Sequence, residues 1–140
     1  MGSGVLSKRR SLGSTGETIS AIALGTWGIR NEDNAFKTLV RGVELGLDTI
    51  DTAEMYNSGR AEELVGRVIK QVGRDAVFLI TKMLPDRLRS RYDVVKYGRA
   101  ALRRLGVNEV DLYLIHWPNP TLSIREQVKN FESLIDEGLT

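Results

Sequence analysis

Apolar positions recur along the chain in a unit of about thirty residues, each a short β-rich run followed by an amphipathic stretch that stops at glycine. Four stretches have helical spacing. Phe36, Leu39, Val40 and Val43 precede Gly46, and Ala61, Leu64, Val65, Val68, Ile69 and Val72 precede Gly73. Val94, Ala101, Leu102 and Leu105 precede Gly106, while Ile124, Val128, Phe131 and Ile135 precede Gly138. Each glycine stands where a helix C-cap takes positive φ. Ser90-Arg91-Tyr92-Asp93 and Ser123-Ile124-Arg125-Glu126 have the form of capping boxes at two of the starts. The runs before the helices, residues 21–24, 47–51, 76–81 and 110–115, are nearly all apolar, which predicts parallel strands buried on both faces. The pattern reads as an α/β fold of four βα units over residues 21–138. Upstream, residues 9–12 and 17–20 flank Gly13-Ser14-Thr15-Gly16, so residues 1–20 are expected to form an arm and a small β-hairpin.

Composition narrows the function classes. The 140 residues, 41% hydrophobic and 27% charged, suffice for one core, and no linker divides residues 1–140. Twenty Lys and Arg face eighteen Asp and Glu, and the basic clusters Lys8-Arg9-Arg10, Arg87-Leu88-Arg89-Ser90-Arg91 and Arg103-Arg104 have no interleaved aromatics. They read as solvated surface, and no nucleic-acid partner is expected. No apolar run approaches the roughly 18 residues that span a bilayer, and residues 1–10 lack the hydrophobic stretch of a signal peptide, so a soluble, cytoplasmic protein without a membrane partner is expected. With no cysteine and a single histidine, His116, no thiolate, zinc or ordinary imidazole metal site is expected.

In parallel βα folds the carboxyl ends of the strands converge on one mouth, and here they are polar. The first predicted strand runs into Gly25-Thr26-Trp27-Gly28, the second into Asp51-Thr52-Ala53 with Tyr56 beyond, the third into Thr81-Lys82 and the fourth into His116-Trp117-Pro118. Singly, Asp51 reads as a turn cap, Tyr56 as loop packing and His116 as a hydrogen-bonded core histidine. Lys82 is harder to set aside, because a lysine closing the apolar run from Val77 to Thr81 is drawn toward the sheet and wants a counter-charge there. Asp51 is the obvious one. Together the four groups form an acid/base constellation.

At these residues the chain resembles the aldo-keto reductases. The matching text is Leu24-Gly25-Thr26-Trp27; Glu44-Leu45-Gly46-Leu47-Asp48-Thr49-Ile50-Asp51-Thr52-Ala53-Glu54-Met55-Tyr56; Glu62-Glu63-Leu64-Val65-Gly66; Thr81-Lys82; and Asp111-Leu112-Tyr113-Leu114-Ile115-His116-Trp117-Pro118. The resemblance implies a (β/α)8 TIM barrel whose N-terminal hairpin closes the bottom, and this chain would be its first four units, a half-barrel. It implies reduction of a small-molecule aldehyde or ketone with NADP(H), usually without a metal. Tyr56 would be the general acid, Lys82 its assistant, Asp51 the partner of Lys82, and His116 a hydrogen-bond donor to the carbonyl oxygen. Gly25, Thr26, Trp27 and Asp51 would line the nicotinamide, and Trp27 and Trp117 the substrate pocket. Most of the cofactor site, including the groups that bind its phosphates, would lie in the C-terminal half that these four units do not include. The chain has Asn57 where the family commonly has glycine, and Ala61 where it often has serine. A half-barrel is expected to assemble, as a homo-oligomer or with a complementary half. The alternative reading is a catalytically inactive half-barrel that serves as a binding or assembly module.

Overall fold

A computed structural model describes residues 8–140. The expected arm over the first seven residues and the judgement about a signal peptide there lie outside the described residues. The hairpin forms from β1 (Arg9–Ser11) and β2 (Thr18–Ser20), paired antiparallel. It is followed by β3 (Leu24–Gly25), α1 (Glu32–Glu44), β4 (Thr49–Asp51), α2 (Arg60–Val72), β5 (Phe78–Met83), α3 (Arg91–Leu105), β6 (Leu112–Ile115), α4 (Ile124–Phe131) and α5 (Ser133–Asp136). The four later strands form one parallel sheet in the order β3-β4-β5-β6, with the helices packed over one face. The repeat's four βα units are present, and they form the half of a (β/α)8 barrel that the resemblance implies.

The sheet differs from the expectation of burial on both faces. Side chains alternate along a strand. In β5, Leu79, Thr81 and Met83 are sealed beneath the helices, while Phe78, Ile80 and Lys82 on the other face are half-buried. The second face is the one a closed barrel would enclose. The first strand is also shorter than residues 21–24, because the Ala21 N–H is taken by the Lys8 carbonyl and that end of the run pairs with the hairpin. The hairpin is tied to the amino end of β4: Ser20 N donates to Asp48 Oδ1 at 3.0 Å, Ser20 Oγ donates to Thr49 Oγ1 at 3.0 Å, and Arg9 is ion-paired with Asp48. Burial works to raise the Asp48 pKa, but Arg9 and Ser20 outweigh it and hold the carboxyl below its ordinary value.

Leu39, Leu64, Val65, Val68, Val94, Ala101 and Leu105 face the sheet as the helical spacing requires. The four stop glycines all have positive φ, from 65° at Gly138 to 94° at Gly73. Asn31, Ser90 and Ser123 cap α1, α3 and α4, and the reciprocal capping box closes only at Ser123 and Glu126. At Ser90 the Asp93 carboxylate instead accepts from the serine hydroxyl.

The last unit departs most from the pattern. Its helix breaks at Glu132, and Ile124, Val128 and Ile135 are exposed, Ile135 at 66%. The inward positions go to Gln127 and Leu134. Gln127 accepts from Asn119 N at 2.7 Å and donates to the carbonyls of Asn119 and Leu122 at 2.9 Å each, pinning the loop after β6. Leu134 occupies the space beside Gly98, where an added Cβ would lie 2.6 Å from its Cδ2.

Candidate functional site

The parallel registers align Gly25 with Asp51, Asp51 with Ile80 and Lys82 with Leu114, so the polar residues ending the strands come level at one edge of the sheet. Lys82, on the open face of β5, has a side chain only 14% exposed. Its Nζ donates to Asp51 Oδ1 at 2.6 Å, to the Thr52 carbonyl at 2.9 Å and to Tyr56 Oη at 3.0 Å, using all three ammonium donors. Tyr56 opens a single 3₁₀ turn, Tyr56–Gly59, in which Asn57 and Ser58 have φ of 49° and 54°. This left-handed backbone suits the glycine common in the family and is tolerated by asparagine. Asn57 Nδ2 also donates to the Ile29 carbonyl at 2.9 Å, tying the turn to the loop before α1.

His116 stands edge-on to Tyr56, with ring centroids 5.7 Å apart and planes at 80°. Burial depresses its pKa, the Lys82 charge depresses it further, and Asp51 only partly opposes them, so the imidazole is neutral above the ordinary histidine range. Its Nδ1 is buried without a hydrogen-bond partner among the described residues. Trp117 packs against the same ring at 4.5 Å with the indole half exposed, and Trp27 is 76% exposed. Thr26 is buried, and both its backbone N–H and its hydroxyl donate to the Asp51 carbonyl, at 3.1 and 3.0 Å. A Cβ at Gly25 would meet nothing within 4 Å, so open room lies beside the backbone there. The chain thus brings Asp51, Tyr56, Lys82 and His116 together, with Gly25 and Thr26 beside Asp51 and Trp117 beside His116.

Sequence reasoning missed a charged group behind this cluster. Glu62 is fully buried on α2, accepting from Thr81 Oγ1 at 2.7 Å and from Arg104 Nε at 2.6 Å. Burial raises its pKa, though Thr81 and Arg104 oppose the rise. Glu54 accepts from Leu84 N at 2.7 Å. Glu62 shares a helical face with Val65 and Ile69, and a carboxylate on that apolar stripe was the available signal.

A half (β/α)8 barrel with a Lys-linked Asp and Tyr and a neutral His at the carboxyl ends of its strands defines a class of acid/base site. The comparisons with known proteins identify the family. Residues 21–140 match the aldo/keto reductase family, to which the chain belongs. It is 36% identical over 143 residues to the aldo-keto reductase YhdN of Bacillus subtilis (strain 168), covering 91% of this chain and 43% of that protein. It is 38% identical over 125 residues to the methylglyoxal reductase YeaE of Escherichia coli (strain K12), covering 86% of this chain and 43% of that protein. An aldo/keto reductase from Klebsiella pneumoniae, solved in complex with NADP and acetate, is 36% identical with a TM-score of 0.80, over 87% of this chain and 44% of that one. The chain therefore spans a little under half the length of these relatives. No helix among the described residues is long and apolar enough to cross a membrane.

Proposed function

We propose that the chain supplies the proton-donating side of an oxidoreductase site that reduces aldehydes or ketones to alcohols with NADP(H), Tyr56 being the general acid. The observation that carries this reading is the hydrogen bonding of Lys82, whose one ammonium holds Asp51, Thr52 and Tyr56 together. An ammonium only donates, so Tyr56 Oη accepts from Lys82 and its own proton is left to point at a carbonyl oxygen. The positive charge favours the phenolate that remains after transfer, and Asp51 keeps Lys82 charged and aimed. Neutral His116 donates an N–H to the same oxygen and fixes its angle.

Bound NADPH would supply hydride chemistry here, and Tyr56 would give its proton to the carbonyl oxygen of the substrate. The residues present fit its nicotinamide end: Gly25 leaves room beside Asp51, Thr26 locks that backbone to the Asp51 carbonyl, and Trp27 and Trp117 offer indole walls. In this reading the cofactor's phosphate contacts come mostly from the carboxyl-terminal half of the barrel, which this chain does not cover. The test joins the chain to the carboxyl-terminal half of the Bacillus subtilis relative and follows aldehyde-dependent NADPH oxidation. Lys82→Met should lower kcat by about a hundredfold, within the range of one positioned acid/base group, with NADPH affinity nearly unchanged. An unchanged kcat would remove the ammonium from the chemistry.

The second reading, a half-barrel that binds or assembles without catalysis, is favoured by the exposed Ile124, Val128 and Ile135. NADPH oxidation by the joined protein separates the two.

A further inference from the structure

The Glu54, Glu62 and Arg104 group contacts both the end of β5 that carries Lys82 and the turn that carries Tyr56. Thr81 precedes Lys82 and faces the helices, where its hydroxyl donates to Glu62. The Lys82 carbonyl accepts from Glu54 N at 3.3 Å, and Leu84, two residues on, donates its N–H to the Glu54 carboxylate. Glu54 thus grips the chain at Lys82 and just beyond the end of β5 while standing two residues before Tyr56. Arg104, from α3, bonds Glu62 through Nε. Its buried Nη2, which has no hydrogen-bond partner among the described residues, stands 3.9 Å from Glu54 Oε2 as a charge contact, with Arg87 Nε 3.6 Å from Oε1 of the same carboxylate. The Arg104 Cδ lies 2.8 Å from where a Cβ on Gly59 would stand, so it covers the end of the Tyr56 turn. That turn holds Asn57, Ser58 and Gly59 at positive φ, a backbone that persists only when its surroundings enforce it.

We propose that Arg104, bridging Glu62 and Glu54, is a positioning residue: a charge clamp behind the strands that fixes the Tyr56 turn against the end of β5 and so holds the phenol on Lys82. Stability alone is a weak reason for such a group, since buried ion pairs are often replaced by apolar residues without loss. An apolar side chain in place of Arg104 would seal the interior but could not hold two carboxylates on two different elements.

The proposal rests on the reductase reading, yet part of its test does not. In the 140-residue chain itself, Arg104→Ala should speed amide hydrogen exchange at Leu84 by about tenfold or more and shift the ring-proton NMR signal of His116, which lies against Tyr56. Guanidinium ion at about 20 mM should reverse both changes and an equal concentration of sodium chloride should not, because the cleft lined by Glu54, Met55, Ser58, Leu84, Arg87 and Arg104, about 320 Å³, opens onto the vacated position. Arg104→Lys keeps a charge on Glu62 but cannot reach Glu54 as well, so it should fold and still show the faster Leu84 exchange. In the joined protein both variants should lose kcat by about tenfold or more with little change in KM for NADPH, and guanidinium should restore the Arg104→Ala enzyme. Wild-type exchange, His116 shift and kcat in Arg104→Lys would overturn the clamp, whether or not Arg104→Ala folds. Failure of the wild-type joined protein to oxidise NADPH would count against the reductase reading, and the exchange and NMR results would still decide the clamp.

Discussion

Lys82 spends all its donors inside the cluster, so each neighbour is constrained through it. Removing Asp51 frees the ammonium, and removing the ammonium leaves Asp51 and Tyr56 without a shared partner. Asp51→Asn and Lys82→Met should therefore each lower kcat in the joined protein while the double variant falls by clearly less than the product of the two, a cycle that steady-state kinetics can close. Proportional losses would mean that the two act separately. The single histidine allows a second reading of the same electrostatics. Proton NMR of His116 should give a midpoint below the free value of about 6.5, raised by Lys82→Met, which removes a like charge, and lowered by Asp51→Asn, which removes an opposite one. Opposite shifts would contradict the placement of the three groups. These residues were legible because a lysine and an aspartate closing apolar strands are costly to leave unpaired. Arg104 and Glu54 were not, because each looks like ordinary surface charge until the helices are laid over the sheet, and Glu62 offered only the signal of a carboxylate on an apolar stripe.

Among the elements, α1, α2 and α3 followed from spacing and stop glycines, because each buries one stripe against one sheet face. The last helix did not, because its apolar row is unfilled here and its inward position is a glutamine whose partners lie in the loop after β6. Close helix contact is another fact that spacing does not reveal. A Cβ at Gly66 on α2 would stand 2.8 Å from the carbonyl oxygens of Arg104 and Leu105 at the end of α3. Helix propensity alone predicts that Gly66→Ala gains about 1 kcal/mol. Overpacking against rigid backbone should reverse the sign and cost about 2 kcal/mol, read as a lower urea midpoint. A higher midpoint would show that α2 and α3 are not in contact there.

At the scale of the whole molecule, β3 and β6 are the free edges of the sheet among the described residues, and a groove of about 470 Å³ lined by Leu112, Tyr113, Val128, Phe131 and Ile135 runs beside β6. Unpaired strand edges and contiguous apolar surface favour association. Light scattering on the 140-residue chain should give a dimer or larger species, and a stable monomer mass would count against the assembly reading. The repeat count made the four βα units legible and the family resemblance made them a half-barrel, but which copy or complement covers the groove is not written in any one residue. The central claim, that this chain carries the proton donor of a carbonyl reductase, is tested most directly by Tyr56→Phe in the joined protein. The substitution removes one hydroxyl and keeps the ring against His116. Aldehyde-dependent NADPH oxidation should fall by at least about a hundredfold while NADPH still binds. A Tyr56→Phe enzyme that kept most of its kcat would contradict the assignment.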